Sequence, residues 1–109
     1  MTMQQVYKAL SDPTRRRILQ LLRQGDMTAG ELARHFALSK PTLSRHFGVL
    51  REAGLIHGDK QGATITYRLN VSVLEELLME FMGSFQVGSE EVGSEEEPLK
   101  WTASKPKRN

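Results

Sequence analysis

The 109-residue chain contains no cysteine, which excludes a disulfide framework, a thiolate metal site and a cysteine nucleophile. It has no stretch near the ~20 consecutive apolar residues of a membrane-spanning helix. Met1 to Gln5 has neither the basic flank nor the apolar core that opens a signal peptide. No glycine-rich phosphate loop, nucleophile elbow or paired Asp/His metal motif is present, so neither an enzyme nor a cofactor is expected. The Gly58 to Gly62 spacing falls in a turn and has no catalytic meaning. With 39% hydrophobic and 26% charged residues, the composition is that of a soluble globular domain. The expectation is a cytoplasmic, non-secreted protein with one small domain. A core this small, without covalent staples, points to oligomerisation.

Basic residues are missing from one long segment. Between Val71 and Glu97 there are 8 Glu and no Lys or Arg. From Met1 to Asn70 the balance reverses, with 11 Lys and Arg against 5 Asp and Glu. Lys100, Lys105, Lys107 and Arg108 then return positive charge at the end, leaving the whole chain at +2. A basic body followed by an acidic segment suits a polyanion-binding face in the first seventy residues. Charge alone favours an ordinary solvated surface, so the order of motifs has to decide.

Met3, Val6, Ala9 and Leu10 lie at helical spacing. Asp12-Pro13-Thr14 then supplies an N-cap with proline at the first helical position, where a missing N–H costs nothing. The helix from Thr14 to Arg23 is expected to bury Ile18, Leu19 and Leu22 and to stop at Gly25. Thr28 and Glu31 form a capping box that opens a helix to Phe36. Ser39 caps the next helix, with Pro41 in its first turn, and Gly54 stops it after Glu52. Leu55–Lys60 and Ala63–Leu69 have strand character, with Gln61-Gly62 as the turn between them. Ser72 and Glu75 form a second capping box before a final helix carrying Leu74, Leu77, Leu78, Phe81 and Phe85. Val87-Gly-Ser-Glu-Glu91 and Val92-Gly-Ser-Glu-Glu96 are a tandem repeat in a Gly/Ser/Glu-rich stretch expected to be disordered. The predicted fold is mostly α with a β-hairpin wing, in the order α-α-α-α-β-β-α. The domain spans residues 1–85, and residues 86–109 form a tail.

Two short helices with a tight link, Thr28 to Phe36 and Ser39 to Glu52, make a helix-turn-helix pair. Projected at 100° per residue, the second helix turns Leu43, Phe47 and Leu50 to the core. Lys40, Pro41, Ser44 and Gly48 lie away from it, flanked by Arg51 and Arg45. That face offers a cation, a hydroxyl, a guanidinium and a glycine that lets a backbone approach. Its only acid, Glu52, stands at the far end. An ordinary solvated helix would carry more glutamate; a major-groove surface would not.

Four strings of residues resemble one known family. They are Lys8-Ala-Leu-Ser-Asp-Pro-Thr-Arg-Arg-Arg-Ile-Leu19, Met27-Thr-Ala-Gly-Glu-Leu-Ala33, Leu38-Ser-Lys-Pro-Thr-Leu-Ser-Arg-His-Phe47 and Leu50-Arg-Glu-Ala-Gly-Leu-Ile56. Together they are similar to the ArsR/SmtB winged-helix repressors over roughly residues 3 to 85. The opening half is most similar to the metal-independent branch containing the sporulation-delay autorepressor. The resemblance implies a homodimeric bacterial repressor that binds a palindromic operator of its own or a neighbouring operon. It places DNA contacts on Ser39, Lys40, Pro41, Thr42, Ser44, Arg45 and His46 of the recognition helix, and on Lys60 and Gln61 at the wing tip. Ser39, Lys40, Arg45 and Lys60 are then phosphate candidates, and Ser44 and Arg45 base readers. The family dimerises through its first and last helices, which implies an interface of Met3, Val6, Leu10, Leu74, Leu77, Leu78, Phe81 and Phe85.

Metal-sensing members of the family use a cysteine pair in the third helix, where this chain has Glu-Leu-Ala-Arg-His35. Others use Asp and His in the final helix, where it has Val-Leu-Glu-Glu-Leu-Leu-Met-Glu-Phe81. His35 and His57 are isolated, His46 borders the core side of its helix, and Glu75, Glu76 and Glu80 have the spacing of a solvated face. No metal site is expected. Relief of repression then falls to sequestration by a membrane protein encoded nearby, as the resemblance suggests, or to simple autoregulation. The rival reading is a helix-turn-helix adaptor or anti-repressor that contacts only protein. It would need no basic face, so Lys40, Ser44 and Arg45 count against it.

Overall fold

A computed structural model of the chain describes residues 2–85. The described backbone divides into two units, one running to Glu75 and one beginning at Glu76. The tail expected from residue 86 onward lies outside the described residues.

In the first unit, α1 (Met3–Leu10) starts on a capping box that the sequence reading had not singled out. Gln5 N donates to Thr2 Oγ1 at 3.2 Å while Thr2 N donates to Gln5 Oε1 at 2.8 Å. α2 (Pro13–Leu22) begins as expected: the Asp12 carboxylate accepts from the backbone N–H groups of Thr14 at 2.8 Å and Arg15 at 3.2 Å. Desolvation pushes the Asp12 pKa upward. The two backbone donors, Arg15 and Thr14, together with the Arg15 guanidinium, outweigh that effect and hold it below the ordinary aspartate value.

A strand absent from the sequence expectation comes next. β1 (Met27–Thr28) precedes α3 (Ala29–Ala33), which Thr28 caps as predicted, with Glu31 N donating to Thr28 Oγ1 at 3.0 Å. α3 ends three residues earlier than expected. The amides of Arg34, His35 and Phe36 bond to the carbonyls of Glu31, Leu32 and Ala33, each three residues back, so the last turn tightens. α4 (Lys40–Glu52) is capped by Ser39 and closed at Gly54. Leu55 N donates to Leu50 O at 3.0 Å and Gly54 N to Arg51 O at 2.9 Å, the paired bonds of a Schellman motif. Gly54 has φ 76°, a left-handed conformation in which a Cβ is strained. Leu50 and Leu55, joined by that motif, are both fully buried.

β2 (Ile56–Gln61) and β3 (Thr64–Leu69) form the antiparallel hairpin, in register from Ile56 with Leu69 to Gln61 with Thr64. The turn is therefore Gly62-Ala63, one residue later than expected. β1 pairs on the other edge, Met27 with Tyr67 and Thr28 with Thr66, giving the sheet order β1-β3-β2. This third strand ties the start of the helix-turn-helix to the wing.

The core of this unit is Val6, Ile18, Leu19, Leu22, Leu32, Leu43, Phe47, Leu50, Leu55, Ile56, Tyr67 and Val73, with Ala9 and Ala53 filling close approaches. Each fully buried aliphatic side chain contributes roughly 1.5–3 kcal/mol. Phe47 of α4 packs on Tyr67 of β3 with ring centroids 4.6 Å apart. That packing needs Gly58: a Cβ there would stand 3.0 Å from Tyr67 Cε1 and 3.3 Å from Ile65 Cγ2.

α5 (Val71–Ser84) starts one residue before the predicted cap, so Ser72 lies inside the helix, and no Ser72–Glu75 capping bond forms. Asn70 precedes the helix instead, with its amide donating to Leu55 O at 2.8 Å and its side chain to Gly54 O at 3.0 Å. The part of α5 from Glu76 onward belongs to the second unit. There Phe81 and Phe85 meet edge to face at 5.1 Å.

Candidate nucleic-acid interface

α3 and α4 are the two arms of a helix-turn-helix, and α4 is the arm that carries the candidate contacts. Its core side is held by Leu43, Phe47 and Leu50, which fixes what remains outside. Lys40, Pro41, Ser44 and Arg45 are exposed, and Thr42 and His46 are half-buried. Ser39 makes local bonds: Thr42 N donates to its Oγ at 3.3 Å, and that hydroxyl donates to Thr42 Oγ1 at 2.9 Å. The pair therefore organises the helix start. His46 is turned to the flank, where its Nδ1 meets Arg15 Nη1 of α2 at 3.2 Å.

The electrostatics of this end favour an anion. A helix N-terminus carries a partial positive charge, which an acid in the first turn would offset. α4 has none there, and Lys40 adds a full charge. Among the described residues the ion pair found is Arg68 with Asp59 at 3.5 Å, on the wing. Lys40, Arg45, Arg51 and Lys60 make no ion pair among those residues. The positive character of this end comes from the helix dipole and the Lys40 side chain, since Pro41 has no N–H and Thr42 N and Leu43 N are already bonded to Ser39.

Gly48 has a different standing from Gly58. A Cβ at Gly48 would meet only Arg51 Nη2, at 3.8 Å, an ordinary contact. Among the described residues nothing demands a glycine in the middle of α4. Lys60 and Gln61 are exposed at the end of β2, beside the Gly62-Ala63 turn. A groove of about 300 Å³ separates α3 and α4 from this tip, lined by Ala29, Gly30 and Ala33 on one side, by Lys40 and Ser44 on another and by Ala63 at the wing. The small residues of α3 keep it open.

The candidate apolar surface residues divide. Val6 is fully buried in its own unit and joins the core, whereas Met3, Leu10, Leu74 and Leu77 are half-buried. Leu78, Phe81 and Phe85 are exposed at 58%, 49% and 62%. Tyr7, Val71, Met79 and Met82 are also exposed and were not singled out from the sequence. Val71, Leu74, Leu78, Phe81 and Phe85 recur at alternating spacings of three and four, the pattern that pairs helices. Hydrophobic periodicity had marked this stripe; Val71 could have been added by extending it one step. Among the described residues no group of three or more His, Asp or Glu side chains converges as a metal-ligand set. No described helix is long and apolar enough to cross a membrane.

Known proteins share this arrangement. Residues 10–59 match the family described as a helix-turn-helix domain. The transcriptional repressor SdpR of Bacillus subtilis is 51% identical over 74 residues, covering 68% of this chain and 82% of that protein. A crystal structure of an ArsR family transcriptional regulator superposes with TM-score 0.73 at 30% identity, covering 81% of this chain and 90% of its own. The solution structure of a homodimeric winged helix-turn-helix DNA-binding domain from Mycobacterium bovis, a possible ArsR-family regulator, gives TM-score 0.60 at 25% identity over 75% and 77% of the two chains. With the four sequence strings placed on α1–α2, β1–α3, α4 and the α4–β2 junction, the chain belongs to the ArsR/SmtB family of winged helix-turn-helix transcriptional repressors.

Proposed function

We propose that the protein represses transcription as a homodimer on a palindromic operator, reading DNA with α4 and holding the backbone with the wing. It acts in the cytoplasm, is not an enzyme, and regulates its own or a neighbouring operon without a metal inducer. The observation that carries this reading is the exposed α4 edge of Lys40, Ser44 and Arg45, free of carboxylates and of ion pairs among the described residues. A protein-docking helix has no need of it. Metal independence rests on the absence of cysteine and on an α5 with no histidine. Derepression runs through a membrane-bound sequestering protein or through simple autoregulation without a ligand. Zn(II), Cd(II) or As(III) at modest excess will change operator affinity by less than about tenfold, some 1.4 kcal/mol; a larger reproducible fall sinks the metal-free reading.

Two contact types are separable by their physics. Losing a phosphate contact weakens all sequences alike and lowers the salt slope by ~1. Losing a base contact removes discrimination, at ~1–3 kcal/mol per good bidentate pair. Lys60→Ala belongs to the first class. Arg45→Ala belongs to the second, and acts in both half-sites of a dimer. The test is binding, across a salt series, to a duplex selected by the wild-type chain and to a scrambled duplex. Equal weakening of both duplexes by Arg45→Ala, with specificity lost through Lys60→Ala, would put the wrong element in the major groove. Failure of the wild-type chain to select any duplex would favour the protein-contact alternative.

A further inference from the structure

Three consecutive arginines follow the cap of α2, and the structure gives them different tasks. Arg16 is exposed, and its Nη1 donates to Leu10 O at 2.7 Å, at the end of α1. Arg17 is exposed and makes no side-chain hydrogen bond among the described residues. Arg15 is half-buried and bonds on three sides. Its Nε donates to Ala9 O at 2.8 Å, its Nη2 to Lys8 O at 2.9 Å and its Nη1 meets His46 Nδ1 at 3.2 Å.

A planar guanidinium anchored on two backbone carbonyls cannot turn, so the third donor is aimed at a fixed point. Arginine has no acceptor, so His46 Nδ1 accepts and the imidazole carries its proton on Nε2. His46 stands between Arg45, which is exposed, and Phe47, which is buried. The apolar side of α4 is held by close packing of Leu43, Phe47 and Leu50. A roll of about 10° moves the surface of a helix of ~6 Å radius by about 1 Å. A recognition site tolerates only about 0.5 Å. A directed bond on the flank, far from the helix axis, adds a restraint on that roll to the one the packing supplies.

We infer that Arg15 is a positioning residue for DNA binding: anchored on the carbonyls that end α1, it holds His46 and so sets the roll of α4. This role rests on the DNA-binding reading above. It requires no contact between Arg15 and DNA.

The experiment compares the full-length chain with Arg15→Gln, His46→Leu, His46→Asn and the Arg15→Gln/His46→Leu double variant. Affinities are measured for a duplex selected by the wild-type chain and for a scrambled one, and the imidazole nitrogens of the free protein are followed by NMR. The wild-type ring will show the Nε2–H tautomer, and Arg15→Gln will redistribute it. Arg15→Gln and His46→Leu will each lose about tenfold affinity for the selected duplex and little for the scrambled one. The double variant will lose no more than the worse single variant. His46→Asn, which keeps an acceptor near the Nδ1 position, will restore most of the affinity. An Nδ1–H ring in the free wild-type protein overturns the pairing whatever the DNA results. Equal loss on both duplexes with a shallower salt slope makes Arg15 a phosphate contact and overturns the role, as do additive losses. Arg15→Gln also weakens the end of α1. If that variant does not fold, His46→Leu decides: unchanged affinity for the selected duplex refutes the inference. A wild-type chain that selects no duplex yet shows the Nε2–H ring refutes the functional reading, and the positioning role with it, in a way distinct from a wrong tautomer.

Discussion

Gly48 costs α4 stability with no compensating contact among the described residues. A glycine in a helix interior is about 0.5–1 kcal/mol worse than alanine. The only neighbour an added Cβ would meet is the flexible end of Arg51. On the DNA-binding reading proposed above, a DNA strand approaching the backbone of α4 would supply the reason. Gly48→Ala is therefore expected to raise unfolding stability by about 0.5–1 kcal/mol and to weaken operator binding. Thermal melting and binding on the same preparation check it. A stabilised variant with unchanged operator affinity removes close approach as the purpose of this residue. Gly58 is the contrasting case, because Tyr67 and Ile65 occupy the space that its Cβ would take.

The caps govern where the elements begin, and α2 shows this most clearly. Its carboxylate cap orders the turn between α1 and α2, while Arg15 and Arg16 hold the carbonyls that end α1. Asp12→Ala is expected to cost about 1 kcal/mol, the usual loss for an N-cap. The folded state holds the Asp12 pKa below its ordinary value, mainly because the Arg15 and Thr14 amides overcome the effect of desolvation. A depressed carboxylate pKa stabilises the fold fully above the unfolded pKa and loses that contribution as pH falls through the folded one. Acid titration of stability should thus be less steep in Asp12→Asn than in the wild type, with the difference confined to the acid side of the ordinary aspartate pKa. Parallel curves across that window would show that the carboxylate charge has no part in the cap.

At the scale of the whole molecule, the α5 stripe needs an occupant. In the second unit Leu78, Phe81, Met82 and Phe85 are all exposed among the described residues, and soluble monomers rarely leave such apolar groups uncovered. The proposed dimer covers it. Phe81→Glu, which puts a charge at an exposed position and empties no core site, is expected to convert dimer to monomer in light scattering. Operator affinity should fall with it, by at least about tenfold, because the two half-sites are no longer bound jointly. A wild-type chain that scatters as a monomer at micromolar concentration contradicts the assignment.

What was legible in the sequence was local. Asp12-Pro13, Thr28 with Glu31, Ser39, and Gly54 act over three or four residues, so a cap can be read from neighbours alone, and each stands where the residues predicted. The same holds for Leu43, Phe47 and Leu50, whose spacing sets the core side of α4 and leaves Lys40, Ser44 and Arg45 outside. Ser72 shows the limit: its spacing to Glu75 is as good as that of Thr28 to Glu31, yet Asn70, bonded to Gly54 and Leu55, lets the helix start a residue too early for it. β1 is two residues long, too short for any period, and exists because β3 offers an open edge to Met27 and Thr28. The resemblance puts Val6 in the dimer interface, but the fold of the single chain already buries it completely, so it belongs to the core. Arg15 and His46 lie 31 residues apart and meet only after α2 and α4 pack together. Tertiary structure decided these points because each depends on a partner distant in the chain, whose position exists only once the core has closed.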